Sequence, residues 1–276
     1  MTHMIYVVPS LKAKEKLQCE GKAWAESQGF AYVPRGKRTI QDLMDEYGED
    51  FLVYSSRGPQ IDRPEGSHFF SLNMAELRIQ NLRKGQRDHL LESLMGVKEY
   101  DLRPAAAQPP ISVLDCTCGF GADAAVASFG LPAGSRVDAL EVSPLLEAVT
   151  AWGFSHFVHK KDDVTAALRR ISLRCGDYRD YLLSDDGPVY DVLYFDPMFQ
   201  RPVEASCQFQ PVRAIMEHGG LTRDLIERAL QKARRRVVIK ERDFRQLCRD
   251  FPDVALYGGK YSRIGYAVLE CDSWKK

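Results

Sequence analysis

The chain has 276 residues, of which 45% are hydrophobic and 28% are charged, and its formal net charge is zero. This composition is typical of an ordinary globular protein and excludes a disordered or fibrous chain. The balanced charge also excludes the global basic signature that many nucleic-acid-binding proteins show, so a polyanion would have to meet a local patch.

No segment approaches the roughly eighteen uncharged apolar residues that a membrane span needs. Residues 1–11 are apolar for only a short stretch before three lysines follow, which is the wrong order and length for a secretory signal. The seven cysteines are scattered, without disulfide or zinc-finger spacing, and are expected to be reduced thiols that hold no metal. We therefore expect a cytoplasmic protein, and the sequence leaves its oligomeric state open.

Residues 1–72 are predicted to form a small N-terminal α/β domain. Short apolar strands are expected at 4–8, 30–33 and 51–54, with a helix over 13–28 that stops at Gly29 and a further helix after Thr39. Two helical stretches between residues 75 and 94 flank a basic run, and a segment of linker composition covers 103–110. The second domain is predicted to span 73–276, with residues 73–100 as its leading helices.

After the linker, strands and helices alternate, which predicts a parallel sheet covered by helices. Seven strands are expected, at 111–115, 136–141, 171–175, 189–195, 236–240, 254–257 and 266–271. The last two are separated by a short Gly-rich turn, which suits an antiparallel hairpin. The predicted fold class is α/β, with a mostly parallel seven-stranded sheet and helices on both faces.

The first of these strands runs into a turn with two glycines, Gly119 and Gly121, which is followed by a helical pattern. Glycine lets a backbone approach a ligand closely, and the free N–H groups of a helix N-terminus attract anions. The second strand ends in Glu141, where an acidic residue binds ribose hydroxyls in nucleotide-binding sheets. Ala124 stands where the dinucleotide fingerprint has its third glycine, which argues against NAD.

The strand predicted at 189–195 ends in Asp196-Pro197-Met198-Phe199. At the carboxyl edge of a parallel sheet, this acid would lie in the crevice where ligands bind. Taken alone, Asp-Pro is also a common turn starter.

Together these features resemble the class I S-adenosylmethionine-dependent methyltransferases, which have a Rossmann-like fold. The resemblance implies S-adenosylmethionine as cofactor, contacted by the first strand, its turn and Glu141, which would hold the ribose. Asp177 follows the third strand, where the family often contacts adenine, but it could equally cap the next helix. The implied cofactor-binding residues are Asp115, Thr117, Gly119, Gly121, Asp123, Glu141 and Asp177.

Residues 196–199 resemble the Asn/Asp-Pro-Pro-Phe/Tyr motif of methyltransferases that act on exocyclic or amide nitrogens. The resemblance implies that Asp196 and the Pro197 carbonyl accept hydrogen bonds from the target amine and that Phe199 stacks on the planar substrate. An aromatic amine is a poor nucleophile, so a site that modifies it must orient it and draw the base from its stack. No cysteine lies in the motif, which disfavours carbon methylation by covalent catalysis.

Asp115-Cys-Thr-Cys-Gly-Phe-Gly121 and Asp-Pro-Met-Phe together resemble the bacterial small-subunit ribosomal RNA guanine-N2 methyltransferases. Asp123 fits the acid that this family carries after its second glycine. The resemblance is distant and implies guanine N2 of ribosomal RNA as the target, with RNA as a partner. Candidate RNA-binding residues are Arg83, Lys84, Arg87, Lys240, Arg242 and Arg263.

Three other functions remain open at this point. One is a methyltransferase on a protein amide or a small-molecule nitrogen, which needs no phosphate contacts. Another is an NAD- or nucleotide-using oxidoreductase, which the incomplete glycine fingerprint disfavours. The last is a binding module that keeps the fold without activity.

Overall fold

The computed structural model describes residues 4–97, 108–197, 220–258 and 264–273. These residues group into two compact units. The first unit contains residues 4–71 and Ser143–Phe157, and the second contains the other described residues. Among the helices described, none combines the length and apolar character that crossing a bilayer would require.

The first unit is built on a five-stranded sheet and two helices that precede its third strand. These elements are β1 (Tyr6–Pro9), α1 (Glu15–Ser27), β2 (Ala31–Tyr32), α2 (Ile40–Tyr47), β3 (Phe51–Ser55), β4 (Gly58–Arg63) and β5 (Gly66–Phe69). The strand order is β2-β1-β3-β4-β5. Strand β1 runs parallel to β2 and β3, whereas β3, β4 and β5 are successively antiparallel.

Both faces of this sheet are covered by helices, and successive residues of β1 point to opposite faces. Val8 packs with Leu43 of α2 in one apolar cluster. Val7 packs with Ala25 of α1 in another. The helices α1 and α2 therefore cover opposite faces of the sheet.

Strands β4 and β5 are absent from the sequence-based prediction. Strand β4 begins with Gly-Pro and carries Gln60, Asp62 and Arg63, so it lacks apolar alternation, yet all six of its residues are buried. Neighbouring groups satisfy these polar side chains: Gln60 donates to the Asp62 carboxylate at 2.8 Å, and Arg63 donates to the Glu49 carbonyl at 2.6 Å. Tertiary hydrogen bonding thus makes a polar segment into an interior strand.

Helix α6 (Pro144–His156) follows a strand of the second unit in the chain but groups with the first unit. The Ser143 hydroxyl accepts from the Leu146 amide at 3.4 Å and caps its first turn. The helix packs on β4, and the ring of Phe70 lies against Gly153. The sequence analysis assigns this segment to the second domain, because it follows a strand of that domain in the chain. Its position in the chain does not indicate where it packs.

The second unit is built on a seven-stranded sheet. Its strands are β6 (Ser112–Asp115), β7 (Arg136–Glu141), β8 (Ile171–Cys175), β9 (Val192–Phe195), β10 (Arg236–Glu241), β11 (Ala255–Gly258) and β12 (Gly265–Glu270). Their order is β11-β12-β10-β9-β6-β7-β8. The five neighbouring strands from β10 to β8 are parallel, and β12 is antiparallel to both β10 and β11. The predicted mostly parallel sheet and its closing antiparallel hairpin are confirmed.

Helices lie on both faces of this sheet. Besides α6, the described helices that follow β5 are α3 (Asn73–Arg83), α4 (His89–Met95), α5 (Ala122–Gly130), α7 (Asp162–Arg169), α8 (Tyr178–Leu183), α9 (Arg223–Lys232), α10 (Arg245–Asp250) and a short 3-10 helix (Cys271–Ser273). Leu193 and Phe195 of β9 belong to an apolar core that includes residues of α8 and α9. Tyr194 points the other way and bonds to Asp123 of α5. Alternate residues of one strand thus contact helices on opposite sides.

We expect Gly153→Ala to lower the free energy of unfolding. A Cβ atom at this position would lie 1.9 Å from Cγ of Phe70, so the ring must move. Overpacking of this kind costs about 1–3 kcal/mol and outweighs the gain of up to about 1 kcal/mol in helix propensity. Urea denaturation measures the change. Gly176→Ala, outside the helices, is the control for an added methyl group that meets no clash, since its nearest neighbour would be 3.6 Å away, and an equal loss of stability in both variants would contradict the packing argument.

Candidate active site

The site lies where the strand order of the second sheet reverses. Strand β6 is flanked by β7 and by β9, and the chain leads outward from it in both directions. Ligands of open α/β sheets bind outside the carboxyl ends of the strands at such a switch point. The last residue of β6, Asp115, is in register with Tyr194 of β9, so the segments after both strands begin side by side.

Two hydrogen bonds join these segments. The Cys116 amide donates to the Tyr194 carbonyl at 2.9 Å, and the Asp196 amide donates to the Thr117 hydroxyl at 2.7 Å. Thr117 is predicted from the sequence as a cofactor contact only, and the second bond gives it a further role. It fixes the backbone of the predicted catalytic residue Asp196 to the glycine turn.

The glycine turn has the conformation that its sequence predicts. Gly119 and Gly121 have φ of 54° and 75°, in the left-handed region that favours glycine, and α5 begins directly afterwards. A Cβ atom at Gly119 would meet nothing closer than the Thr117 carbonyl oxygen, at 4.0 Å. The turn thus leaves room for a ligand beside its backbone.

Glu141 ends strand β7 and reaches the same turn. Its Oε2 accepts from the Gly119 amide at 2.8 Å, and only 7% of the residue is exposed. The carboxylate predicted to bind ribose therefore borders the glycine turn. An open glycine turn beside a carboxylate that can accept from hydroxyls fits the nucleoside part of S-adenosylmethionine.

Asp115, the last residue of β6 before the turn, has a buried carboxyl group. Burial raises its pKa well above the ordinary range, the Thr117 amide opposes this by donating to Oδ1 at 3.1 Å, and the Asp123 and Asp196 carboxylates raise the pKa further. A nearby cation lowers the cost of ionising such a group.

A cluster of charged side chains joins the predicted catalytic residue to helices α3, α4 and α5. At its centre is Asp123, in the first turn of α5. Its carboxylate receives hydrogen bonds from the Tyr194 hydroxyl at 2.7 Å, from the Lys240 ammonium at 2.8 Å and from the Arg78 guanidinium. We call this the Asp123 cluster, and it comprises Arg78, Asp88, Asp123, Tyr194, Asp196 and Lys240.

The two cations of the cluster are held by carboxylates on more than one element. Arg78 of α3 makes a forked pair with Asp88, at 2.7 and 2.8 Å, in addition to its bond with Asp123. Burial alone would lower the pKa of Arg78, but these two carboxylates reverse the effect and raise it. Nζ of Lys240, on β10, lies 2.8 Å from Asp123 and 2.7 Å from Asp196. Burial lowers the pKa of Lys240, but the two carboxylates raise it by more, so the net shift is upward.

The two carboxylates that share Lys240 have opposite pKa shifts. The pKa of Asp123 lies below the usual range because Lys240, Arg78 and Tyr194 outweigh the effect of burial. Burial raises the pKa of Asp196 to about 6, the Lys240 ammonium opposes that rise, and Asp123 adds to it. The side chain of Asp196 is 29% exposed, against 9% for Asp123. Asp196 is therefore the more exposed carboxylate of the pair.

Asp177 caps helix α8, as one of its two predicted roles requires. Its carboxylate accepts from the Arg179 amide at 2.8 Å and pairs with the Arg179 guanidinium at 2.6 Å. Capping leaves open a contact with adenine as well. Cys116 and Cys118 are buried, and the described cysteines form no disulfide.

The predicted RNA-binding residues within the described ranges divide into three groups. Arg83 pairs with Asp163, and Arg87 pairs with Glu92, so both charges are largely balanced. Lys84 is exposed, as is Arg242. Lys240 is a member of the Asp123 cluster, with a side chain that is 14% exposed, so its ammonium faces carboxylates rather than phosphates.

Some predicted positions lie outside the described residues, namely Arg263 and the part of the Asp-Pro motif from Met198 onward, which includes Phe199. Arg78 and Tyr194 are site residues that the sequence does not reveal. The only signal for Arg78 is an arginine in helix α3, without distinguishing spacing. Tyr194 looks like one more aromatic residue of an apolar strand.

Comparison with known proteins identifies the family. The sequence profile described as "Putative SAM-dependent methyltransferase" matches residues 81–264, about two thirds of the chain. The chain belongs to this family of SAM-dependent methyltransferases. Its methyl donor is S-adenosylmethionine, and the oxidoreductase alternative is thereby excluded.

Several proteins are similar to this methyltransferase over much of its length. The uncharacterized protein YpiP of Bacillus subtilis is 28% identical over 236 residues, which cover 85% of this chain and 88% of that protein. "Ribosomal RNA small subunit methyltransferase J" of Dechloromonas aromatica is 27% identical, covering 72% and 76% of the two chains. Its counterpart in Thioalkalivibrio sulfidiphilus is 30% identical, covering 59% and 61%.

A crystal structure of a SAM-dependent methyltransferase from Neisseria gonorrhoeae supports the fold. It matches with a TM-score of 0.61 and 17% identity, and the match covers 96% of this chain and 95% of that one.

We expect Glu141→Gln to weaken the binding of S-adenosylhomocysteine by roughly 10- to 100-fold, because hydrogen bonds to a charged acceptor contribute about 1.5–3 kcal/mol. The glutamine keeps an oxygen that can accept from the Gly119 amide, so the turn itself should persist. Isothermal titration calorimetry measures the affinity. Glu227→Gln, in an exposed ion pair of α9, is the control, and unchanged binding by the Glu141 variant would exclude a ribose contact.

Proposed function

We propose that this methyltransferase modifies an exocyclic amino nitrogen and that its target is guanine N2 of ribosomal RNA. One observation carries the proposal: the Asp196 carboxylate lies at the switch point, and Thr117 ties its backbone to the glycine turn. Pro197 follows Asp196 directly. A carboxylate next to a prolyl carbonyl, beside the cofactor turn, offers two acceptors to one amino group.

In this proposal the cofactor is held by the glycine turn and the acids around it. Gly119 and Gly121 let the cofactor approach the backbone of the turn closely, and Glu141 accepts hydrogen bonds from its ribose hydroxyls. Asp115 directly precedes the turn and would ionise more readily with a cationic ligand close by. When bound, S-adenosylmethionine supplies a methyl group on a positively charged sulfonium sulfur.

The chain's own residues orient the amine and accept the proton that it loses after methylation. The Asp196 carboxylate and the Pro197 carbonyl accept the two N–H groups, which directs the nitrogen lone pair at the methyl carbon. The methyl donor, held by the glycine turn and Glu141, would supply the methyl carbon to this nitrogen, and its sulfur would leave with the electron pair of the S–C bond. The nitrogen then loses one proton, which Asp196 can accept because its pKa of about 6 makes it a carboxylate at neutral pH.

The RNA target is supported by similarity and by exposed charge. Two of the similar proteins carry the name "Ribosomal RNA small subunit methyltransferase J". Lys84 and Arg242 are exposed and could neutralise phosphates. A ribosomal RNA substrate also implies that the protein acts in the cytoplasm.

We expect Asp196→Ala to lower methyl transfer by at least about 100-fold while S-adenosylhomocysteine binding persists, because the amine would lose its main acceptor. The assay incubates purified protein with radiolabelled S-adenosylmethionine and small ribosomal subunits from cells that lack the protein. Nucleoside chromatography then identifies the methylated base. Asp186→Ala, on an exposed loop, is the control, and methylguanosine formation by the Asp196 variant would remove this residue from catalysis.

A second candidate is a protein amide or a small-molecule nitrogen. The pairing of Arg83 with Asp163 and of Arg87 with Glu92 favours it, because these pairs reduce the local positive charge. The same acceptors at Asp196 and Pro197 would serve an amide substrate. The two candidates differ in whether substrate binding depends on phosphate contacts.

If RNA is the substrate, its affinity should fall steeply with salt, because each phosphate contact releases counterions. Lys84→Gln should then make the slope of log K against log salt less negative by about 1. Filter binding at several salt concentrations measures this slope. Lys22→Gln, an exposed lysine of α1, should leave it unchanged, and a flat salt dependence for the wild type would favour the amide or small-molecule candidate.

A further inference from the structure

We infer that Lys240 is a positioning residue for methyl transfer: its ammonium holds one oxygen of Asp196, so that the other oxygen is presented to the target amine. The inference deepens the proposed function and rests on it for the identity of the amine. Three features carry it: the location of Lys240, the residues that fix it there, and the oxygen that it leaves open on Asp196.

Lys240 lies on β10, next to the strand that ends at Asp196. Its Nζ is 2.8 Å from Oδ2 of Asp123 and 2.7 Å from Oδ2 of Asp196, and only 14% of its side chain is exposed. A lysine that is buried as a cation needs well-placed anionic or polar partners in place of its lost water, and here two carboxylates supply them. The two carboxylates therefore fix the direction in which this side chain extends.

The anchor of Lys240 is itself held from several sides. Asp123 lies in the first turn of α5, where the helix dipole favours a negative charge. Its carboxylate also bonds to Arg78 and to the Tyr194 hydroxyl. Arg78 is in turn fixed by the fork with Asp88, which caps α4 by accepting from the Leu90 amide at 3.0 Å. Lys240 thus extends from β10 to a carboxylate that neighbouring residues hold in place.

Among the described residues, Asp196 has few other hydrogen-bond partners. It follows the last residue of β9, and its backbone amide is bound by Thr117 at 2.7 Å. Its Oδ2 is bound by Lys240, whereas Oδ1 has no hydrogen-bond partner within the part of the chain that the structure describes. Without Lys240 the side chain could rotate about χ1, which would misdirect Oδ1. Holding Oδ2 thus aims Oδ1 at the amine.

Lys240 also keeps Asp196 ionised. The charged and titratable groups that face Asp196 come from five elements: Asp115 on β6, Asp123 on α5, Tyr194 on β9, Lys240 and Glu241 on β10, and, through Lys240, Tyr266 on β12. Lys240 is the cation among them that lowers the pKa of Asp196, which burial and the neighbouring acids raise. Removing it should therefore move the acid limb of the pH profile upward.

The experiment is a double-mutant cycle with Lys240→Met and Asp196→Asn. An asparagine oxygen can still accept from an amine, so the Asp196→Asn variant should retain measurable turnover. We expect Lys240→Met to lower kcat by roughly 100-fold in the wild type, with KM for S-adenosylmethionine changed less than about threefold. In the Asp196→Asn background the same substitution should cost less than about threefold, because its target carboxylate is already gone.

Control variants separate positioning from a loss of folding. Lys161→Met removes an exposed lysine at the start of α7 and should leave kcat unchanged. Lys240→Arg keeps the charge and should recover part of kcat. Equal losses from Lys240→Met in both backgrounds would indicate a merely structural role and overturn the inference.

A measurement without substrate keeps this inference separable from the proposed function. The carboxyl carbon of Asp196 can be followed by nuclear magnetic resonance as pH is varied. Its titration midpoint should lie near the pKa of about 6 in the wild type and higher in Lys240→Met. An unchanged midpoint overturns the inference, whereas a raised midpoint in a protein that methylates no RNA amine supports it and overturns the guanine proposal.

Discussion

The pairing of β6 with β9 is the constraint on which the rest of the site depends. Parallel neighbours end at the same edge of a sheet, so the glycine turn after Asp115 and the Asp-Pro segment after β9 emerge together. The bond from the Asp196 amide to Thr117 then fixes their spacing. Strand order brings these two bonded residues together, although they are 79 positions apart in the chain.

A balance of charge in a poorly solvated space is the second organising feature. Asp115, Asp123 and Asp196 lie close together, and such carboxylates repel one another when ionised. Lys240 and Arg78 stabilise Asp123 as an anion, burial makes ionisation of Asp115 unfavourable, and Asp196 titrates in between. Three acids of the same type thereby acquire different protonation behaviour, as their different environments require.

Much of the catalytic fold could be predicted from periodicity. The strands of the second sheet are apolar runs bounded by turn signals, and the hairpin follows a Gly-rich turn. Strands β4 and β5 could not be predicted, because polar side chains such as Arg63 are satisfied by partners that are remote in sequence, here Glu49. Nothing in the sequence of helix α6 indicates that it packs against Phe70 of the first unit.

The sequence by itself determined the chemistry that is available: a glycine turn, an acid at the end of the second strand, and an Asp-Pro segment at the end of another strand. These signals are local, since they depend on the residue types at one strand end. The tertiary structure alone decided which residues Lys240, Arg78 and Thr117 contact. Their partners come from different elements. Lys240, which the sequence suggests as a phosphate contact, becomes a buried cation only when folding removes its water and places it between two carboxylates.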